Sequence, residues 1–105
     1  MWEKHYRICL SAPLGRREGT LFLRETAGAV EGWLEVMGRK NPLAGRLSGD
    51  GQIALSGSFR TLISTVQYTA TGTVSGRRIL LNLKTASGTY YPASGEEFDT
   101  DDKIL

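Results

Sequence analysis

Apolar and polar residues alternate along most of this chain, and turn-forming residues interrupt the alternation about every 12 positions. No stretch shows the spacing of an amphipathic helix. The pattern therefore predicts an all-β protein with little or no helix. It predicts eight strands, near residues 3–11, 19–26, 29–37, 43–48, 52–60, 65–75, 78–85 and 89–94.

Four glycines lie in the middle of these strands, each with apolar residues two positions before and after it. Because side chains alternate between the faces of a strand, each glycine shares the core face with its apolar neighbours. Glycine inside a strand marks a sharp bend or the close approach of a neighbour. The pattern predicts an antiparallel eight-stranded up-and-down barrel. The four units are Val30-Gly32-Leu34, Leu43-Gly45-Leu47, Leu55-Gly57-Phe59 and Ala70-Gly72-Val74.

The predicted turns fix a register that can be checked. Glycine-containing turns at 27–28, 49–51 and 76–77 are typical of hairpins, and the first is compatible with a loop of two or four residues. Each turn places a large side chain opposite a glycine. In the last hairpin, a three-residue loop would face Tyr91 inward and a two-residue loop Tyr90. The expected partners are Leu23 with Gly32, Leu21 with Leu34, Leu47 with Ile53, Leu55 with Gly45, Leu43 with Gly57, Val74 with Ile79, Leu81 with Gly72, Tyr68 with Gly57, and Leu34 with Gly45.

The inward positions are almost all large and apolar, and none is a carboxylate. A barrel of eight strands is only wide enough for its own side chains or one small ligand. We therefore expect a filled core or a modest cavity at one mouth. The inward residues are Tyr6, Ile8, Leu10, Leu21, Leu23, Val30, Leu34, Val36, Leu43, Leu47, Ile53, Leu55, Phe59, Val66, Tyr68, Ala70, Val74, Ile79, Leu81, Leu83 and Tyr91.

Charge divides the chain unevenly. The net charge is +2, but five acids and one lysine follow Gly95, so residues 1–95 are basic and residues 96–105 form an acidic tail. We expect one domain over 1–95. No apolar stretch approaches the roughly 20 residues of a membrane-spanning helix.

Candidates for catalysis or metal binding are few. The single histidine, His5, and the single cysteine, Cys9, both fall in the outward phase. One histidine and one cysteine cannot form a zinc site within the chain, and a general base needs an oriented partner. We expect no enzyme, no metal and no cofactor, with His5 facing solvent and Cys9 inert. A single cysteine forms no internal disulfide, which is compatible with the cytoplasm.

Several segments combine turn and strand residues in a repeating arrangement. They are Ser11-Ala12-Pro13-Leu14-Gly15 before Gly19-Thr20-Leu21, Asn41-Pro42-Leu43, Ala70-Thr71-Gly72-Thr73-Val74 and Lys84-Thr85-Ala86-Ser87-Gly88-Thr89. With these segments the chain resembles small single-domain bacterial proteins of unknown function that are built from repeating hairpins. The layout is also similar to the calycin barrels, which include lipocalins and avidin-like proteins. The resemblance implies an antiparallel barrel and assigns no functional residue.

Basic residues gather at one predicted mouth of the barrel, which we call the loop-end mouth. Its loops, near 12–18, 37–42, 61–64 and 86–88, are the longer ones, and long loops on a rigid frame tend to carry binding functions. Clustered arginines can hold a carboxylate or phosphate. We expect an anionic or amphipathic small ligand there. The proposed contacts are Arg16, Arg17, Arg39, Lys40, Arg60 and Lys84, with Tyr68 and Tyr91 below them.

The opposite mouth, which we call the turn-end mouth, carries short turns, both termini and mixed charges. On the outer wall, the predicted register places Phe22 beside Trp33 and Arg24 beside Glu31. Adjacent exposed aromatic residues often mark an association surface. We therefore keep a homodimer built on this strip as the alternative function. Another interpretation is that the acidic tail, with Phe98, Ile104 and Leu105, folds back over the strip. Nucleic-acid binding is not favoured, because few aromatic residues lie among the cations.

Overall fold

The computed structural model describes residues 2–12, 15–36, 38–60 and 64–98. Eight antiparallel strands follow one another around a closed barrel, and β8 pairs with β1 to complete it. The predicted fold class is therefore confirmed. The strands are β1 (Trp2–Ala12), β2 (Gly15–Thr26), β3 (Ala29–Val36), β4 (Arg39–Leu47), β5 (Gln52–Arg60), β6 (Thr65–Ser75), β7 (Arg78–Thr85) and β8 (Tyr90–Phe98).

The strand register places large side chains directly opposite the in-strand glycines, as predicted. Leu23 faces Gly32, and Leu21 faces Leu34. Gly57 lies between two large residues, one on each neighbouring strand. The remaining confirmed partners are Leu43 and Tyr68 with Gly57, Leu55 with Gly45, Leu47 with Ile53, Leu81 with Gly72, and Val74 with Ile79.

Turn geometry explains these registers. Ala27 and Gly28 have φ angles of 52° and 86°, the left-handed pair that a two-residue hairpin turn requires, and Thr26 pairs with Ala29. The two-residue alternative is therefore the correct one. In the last hairpin, the Thr85 amide donates to the Thr89 carbonyl at 2.9 Å. That bond leaves three loop residues, 86–88, and places the half-buried Tyr91 on the inner face opposite Leu83.

One predicted contact is wrong. Gly45 pairs with Val30, whereas Leu34 pairs with Asn41. The cause is that β4 begins at Arg39, so the predicted loop over 37–42 is mostly strand. Asn41 is buried on the inner face, and its side-chain amide donates to the carbonyls of Leu34 and Arg39, both at 3.1 Å. An amide satisfied in this way can occupy a position that pattern alone would reserve for an apolar residue.

The core fills the barrel from wall to wall. Among the described residues, seventeen hydrophobic side chains are buried, from Tyr6 on β1 to Ala93 on β8, and Leu47, Val74 and Tyr91 pack partly buried against them. Of the predicted inward residues, Val66 is half-buried and the side chain of Phe59 lies outside the described part. Ala93 and the polar Asn41 and Thr85 are buried without having been predicted.

Strand β8 is longer than the sequence pattern indicates. It continues to Phe98, and Glu96 and Glu97 pair with Arg7 and Tyr6 on β1. The boundary between barrel and tail after residue 95 stays a prediction, because residues 99–105 lie outside the described part.

The in-strand glycines are required because backbone passes over them. A Cβ atom added at Gly72 would lie 2.8 Å from the carbonyl carbon of Leu80 and 2.9 Å from the Cα of Leu81. We expect Gly72→Ala to lower the free energy of unfolding by about 1–3 kcal/mol, because β7 would have to move away.

Urea denaturation measures that loss, and Gly49→Ala is its matched control. Gly49 lies in a turn with no atom within 4 Å of an added Cβ. Its substitution should change stability by less than about 0.5 kcal/mol. Equal effects from the two variants would contradict the close-approach explanation.

Candidate functional site

The structure separates the predicted basic residues between the two faces of the barrel wall. Arg17 pairs with the buried Leu10 and Arg39 pairs with the buried Val36, so both belong to the inner face at the loop-end mouth. Both are exposed. Arg60 is the last residue of β5, and its side chain lies outside the described part.

The other three predicted cations lie on the outer wall, each against a different neighbour. Arg16 donates to the sulfur of Cys9 from Nε at 3.1 Å and from a terminal nitrogen at 2.9 Å. The ammonium of Lys40 lies 4.6 Å from the ring centre of Trp33, and that of Lys84 lies 5.6 Å from the ring centre of Tyr90. Of the five predicted cations whose side chains are described, only Arg17 and Arg39 share the inner face at this mouth. The ligand-binding role of the six residues stays a prediction.

Below the loop-end mouth the barrel is nearly solid. An internal cavity of about 20 Å³ lies among apolar side chains, with Tyr68 on its wall. A cavity of this size accommodates about one water molecule, and apolar walls keep such a space dry. The expectation of a filled core or modest cavity is confirmed. The lining residues are Ile8, Leu10, Leu21, Leu34, Val36, Leu43, Leu55, Tyr68, Ala70, Leu81, Leu83 and Ala93.

A wider depression of about 570 Å³ lies along β5, β6 and β7. It brings together two residues from the predicted ligand site, Tyr68 and Lys84. The rest of its lining is small or neutral polar: Ser56, Gly57, Gln67, Thr69, Thr85 and Ala86.

The turn-end mouth holds a pocket of about 390 Å³, which we call the turn-end pocket. Its volume lies within the range of roughly 300–1,000 Å³ that is usual for small-molecule sites. Half-buried apolar side chains and charged groups share its walls. It is lined by Trp2, Lys4, Glu25, Gly28, Leu47, Ser48, Gly49, Gly51 and Val74.

Two charged residues in this pocket have defined partners. The ammonium of Lys4 lies 5.0 Å from the ring centre of Trp2 and 3.8 Å from a carboxylate oxygen of Glu97. Glu25 accepts a hydrogen bond of 2.9 Å from the backbone amide of Gly28, which ties its carboxylate to the β2–β3 turn. The pocket thus combines a tryptophan face, an ammonium and a carboxylate within one opening.

These charges also correct the prediction that the inner face has no carboxylate. Glu25 pairs with the buried Val30, and Glu97 pairs with the buried Tyr6, so both carboxylates belong to the inner face. They occupy the ends of β2 and β8, where a charged group reaches the mouth and keeps part of its hydration. Inner-face charge is therefore confined here to the rim of the barrel.

Three residues of the turn-end pocket could have been predicted from the sequence, although the predicted inward residues did not include them. Trp2 and Lys4 precede Tyr6 by four and two positions, and Glu25 follows Leu23 by two. The same alternation that places Tyr6 and Leu23 inside also places these three inside. The predicted inward set began at Tyr6 on β1 and ended at Leu23 on β2, so it did not include these residues at the rim of the barrel.

Tyr6 lies beneath this rim and is fully buried, at 0% exposure. Its hydroxyl has no hydrogen-bond partner among the described residues. Burial, and secondarily the negative charge of Glu97, raise the pKa of Tyr6 to about 12. The phenol therefore stays neutral and keeps its full hydrogen-bonding capacity at physiological pH.

The outer wall carries a row of four rings, Phe98, His5, Phe22 and Trp33, which we call the aromatic strip. The rings lie on β8, β1, β2 and β3 at one level of the sheet. Successive ring centres are 5.9, 4.7 and 5.6 Å apart, which is contact distance for aromatic pairs. His5 points outward as predicted, but it is half-buried between neighbouring rings rather than facing solvent.

The predicted ion pair beside the strip is present. Arg24 lies 3.7 Å from Glu31, and it makes a closer contact of 2.9 Å with Glu3 on β1. Both contacts are exposed, so each contributes at most about 1 kcal/mol. Ile104 and Leu105, which the tail-cover reading places on the strip, lie outside the described residues.

Among the residues that the structure describes, no three histidine, cysteine, aspartate or glutamate side chains are grouped closely enough to hold a metal ion. The same residues contain no helix of the length and apolarity needed to cross a bilayer.

Comparison with known proteins identifies the class of fold. No protein-family model matches the sequence, and no significant match occurs among curated proteins. Among solved structures, the chain is similar to mFAP1, a redesigned β-barrel bound to DFHBI, with 12% identity, a TM-score of 0.63, and 90% of this chain and 92% of that one covered.

A second redesigned β-barrel matches with 10% identity, a TM-score of 0.63 and 90% of each chain covered. At these identities the likeness concerns the fold alone. It defines the protein as a small single-domain antiparallel β-barrel of eight strands. The resemblance to bacterial hairpin proteins and calycins stays a prediction.

The buried phenol of Tyr6 should make the protein sensitive to alkali. The unfolded chain releases this proton near the ordinary pKa of 10, whereas the folded protein keeps it up to about 12. Between these values the unfolded state binds fewer protons, so the free energy of unfolding falls as pH rises. We expect Tyr6→Phe to reduce that fall and to leave stability at pH 7 unchanged or about 1 kcal/mol higher.

Urea unfolding at several pH values tests this expectation. Tyr90→Phe is the control, because Tyr90 is 54% exposed on the outer wall. A Tyr6→Phe variant that loses stability at pH 7 while keeping the wild-type alkaline slope would show that the hydroxyl does have a partner.

Proposed function

We propose that this protein is a non-enzymatic binding protein that takes a small amphipathic molecule in the turn-end pocket. The observation that carries the proposal is the make-up of this opening of about 390 Å³. Trp2, Leu47 and Val74 offer apolar surface there, and Lys4 and Glu25 offer charge. Apolar walls with a few placed polar groups are typical of small-molecule sites.

The location differs from the one that the sequence favoured. Below the loop-end mouth, the internal cavity of about 20 Å³ has no room for a ligand larger than water. The wider depression along β5, β6 and β7 includes Tyr68 and Lys84, but the rest of its lining is small or neutral polar. Arg17 and Arg39 are the predicted cationic contacts that the described residues place on its inner face, and both are exposed. An anionic ligand at that mouth stays a prediction, with weaker support than the turn-end pocket has.

The fold is compatible with such a role. A barrel of eight strands encloses just enough space for its own side chains or one small ligand. One structural neighbour of this chain is a redesigned barrel bound to the small molecule DFHBI. This neighbour supports the general idea that a barrel of this layout accommodates a small molecule, without identifying the ligand of this chain.

The absence of catalysis and the location in the cytoplasm belong to the same proposal. His5 and Cys9, the two side chains most often used as base and nucleophile, both lie on the outer wall, away from the turn-end pocket. The cytoplasm is proposed because the chain's single cysteine gives it no internal disulfide to protect.

The neutral dye N-phenylnaphthylamine, whose fluorescence rises in apolar surroundings, tests the location. We expect the protein to bind the dye and Trp2→Ala to weaken binding at least about fivefold, because the aromatic wall of the pocket is lost. Trp33→Ala is the matched control, since the other tryptophan lies on the outer wall.

A double variant, Arg17→Gln with Arg39→Gln, examines the competing mouth. If this variant lost dye binding and Trp2→Ala kept it, the ligand would belong to the loop-end mouth. If the wild-type protein showed no dye binding at all, the proposed function would be wrong.

A second candidate function is self-association through the aromatic strip, with Arg24 and Glu31 at its edge. The specific observation is that four half-buried rings form one continuous row on an outer wall. Such rows are enriched at protein interfaces, where aromatic residues dominate the buried centre.

Sedimentation velocity distinguishes this candidate from a monomeric barrel. We expect a wild-type dimer that Trp33→Arg converts to monomer, because an arginine cannot replace the buried ring surface. Leu80→Arg is the control, since Leu80 is 51% exposed on β7, away from the strip. A monomeric wild-type protein would rule out this candidate.

A further inference from the structure

We propose that the turn-end pocket is specific for the ammonium group of an organic cation, and that Lys4 occupies this cation position when no ligand is bound. The inference rests on the proposed function and adds the charge of the ligand. It is opposite in sign to the anionic ligand that the overall basic composition suggests.

The Lys4 ammonium lies between an aromatic face and a carboxylate. It is 5.0 Å from the ring centre of Trp2 and 3.8 Å from a carboxylate oxygen of Glu97. Aromatic faces are the usual recognition surface for quaternary ammonium groups, and a neighbouring carboxylate adds Coulomb attraction. A ligand cation would find the same two attractions at this point.

The ion pair with Glu97 holds the Lys4 side chain only weakly in this position. Its side chain is 25% exposed and that of Glu97 is 17% exposed, and the separation of 3.8 Å is at the long end for an ion pair. A lysine also loses side-chain entropy when it is fixed in one arrangement. A rigid cation that brings its own apolar surface pays less entropy, so it can displace Lys4 onto solvent.

Among the described residues, the inner face at this mouth carries one cation, Lys4, and two carboxylates, Glu25 and Glu97. The nearby Arg77 lies in the β6–β7 turn and donates to the backbone carbonyl of Glu97 at 3.1 Å, so its direct contact is with the backbone. Glu25 already accepts a hydrogen bond from the Gly28 amide, so it acts on a ligand through its charge. An anionic ligand would have to take Lys4 from Glu97 and approach the negative charge of Glu25, whereas a cation would be attracted by both carboxylates.

The experiment uses three ligands in competition with N-phenylnaphthylamine on the full-length protein. Benzyltrimethylammonium carries the positive charge, neopentylbenzene has the same shape without charge, and phenylmethanesulfonate is an anion of similar size. We expect the cation to displace the dye at a concentration at least about threefold lower than the neutral ligand, and the anion to be the weakest.

Two variants test whether the pocket prefers a positive ligand charge. Lys4→Met should strengthen benzyltrimethylammonium binding about threefold, because the internal competitor is removed, and Glu97→Gln should weaken it by a similar factor. Lys40→Met is the matched control, since Lys40 covers the other tryptophan, Trp33, outside the pocket. Lys4→Gln repeats the test with a polar side chain if Lys4→Met does not fold.

The outcomes separate the two proposals. If the anion displaces the dye best and Lys4→Met weakens it, Lys4 is a ligand contact and the cation inference is overturned while the proposed function stands. Equal competition by all three ligands overturns it as well. If dye binding does not depend on Trp2, the proposed function itself fails.

Discussion

The structure depends on the close approach of neighbouring strands at the glycines on the inner face. At Gly45 and Gly72, the carbonyl groups of Ala54 and Leu80 on the adjacent strands occupy the space that a side chain would need. Adjacent strands can then coil tightly, and β8 comes close enough to β1 to pair over six residues. A sheet of eight strands can close only if its strands coil and tilt in this way.

Closure at this diameter determines where binding can occur. The seventeen buried hydrophobic side chains in the described part of the chain leave an internal cavity of about 20 Å³, so the middle of the barrel has no space for a ligand. Large side chains such as Leu55 and Tyr68 face the glycines and fill the space that those residues leave. Any site must therefore lie at a mouth or on the outer wall. The turn-end pocket fits this constraint because the core ends below it, at Tyr6 and Leu23.

The sequence predicted the fold well because the residues that determine it are local. The glycine turns at 27–28, 49–51 and 76–77 each set one hairpin register, and a slip by one residue would have turned the core outward. The connection before β4 was less predictable. Its register depends on Asn41, whose side chain binds two carbonyls in the folded protein, and such a contact is invisible in a hydrophobic pattern.

The site was harder to predict than the fold for a physical reason. The predicted site grouped cations by the loop that they lie near. Successive side chains of a strand, however, face the barrel interior and the outer wall in turn, so neighbouring cations do not reach the same site. Arg16, Lys40 and Lys84 lie on the outer wall against Cys9, Trp33 and Tyr90. Applying alternation to the charged strand ends, as to the apolar centres, places Lys4 and Glu97 inside. In a small barrel with a solid core, ligand-binding residues should be sought among the polar, inward-facing residues at the ends of the strands.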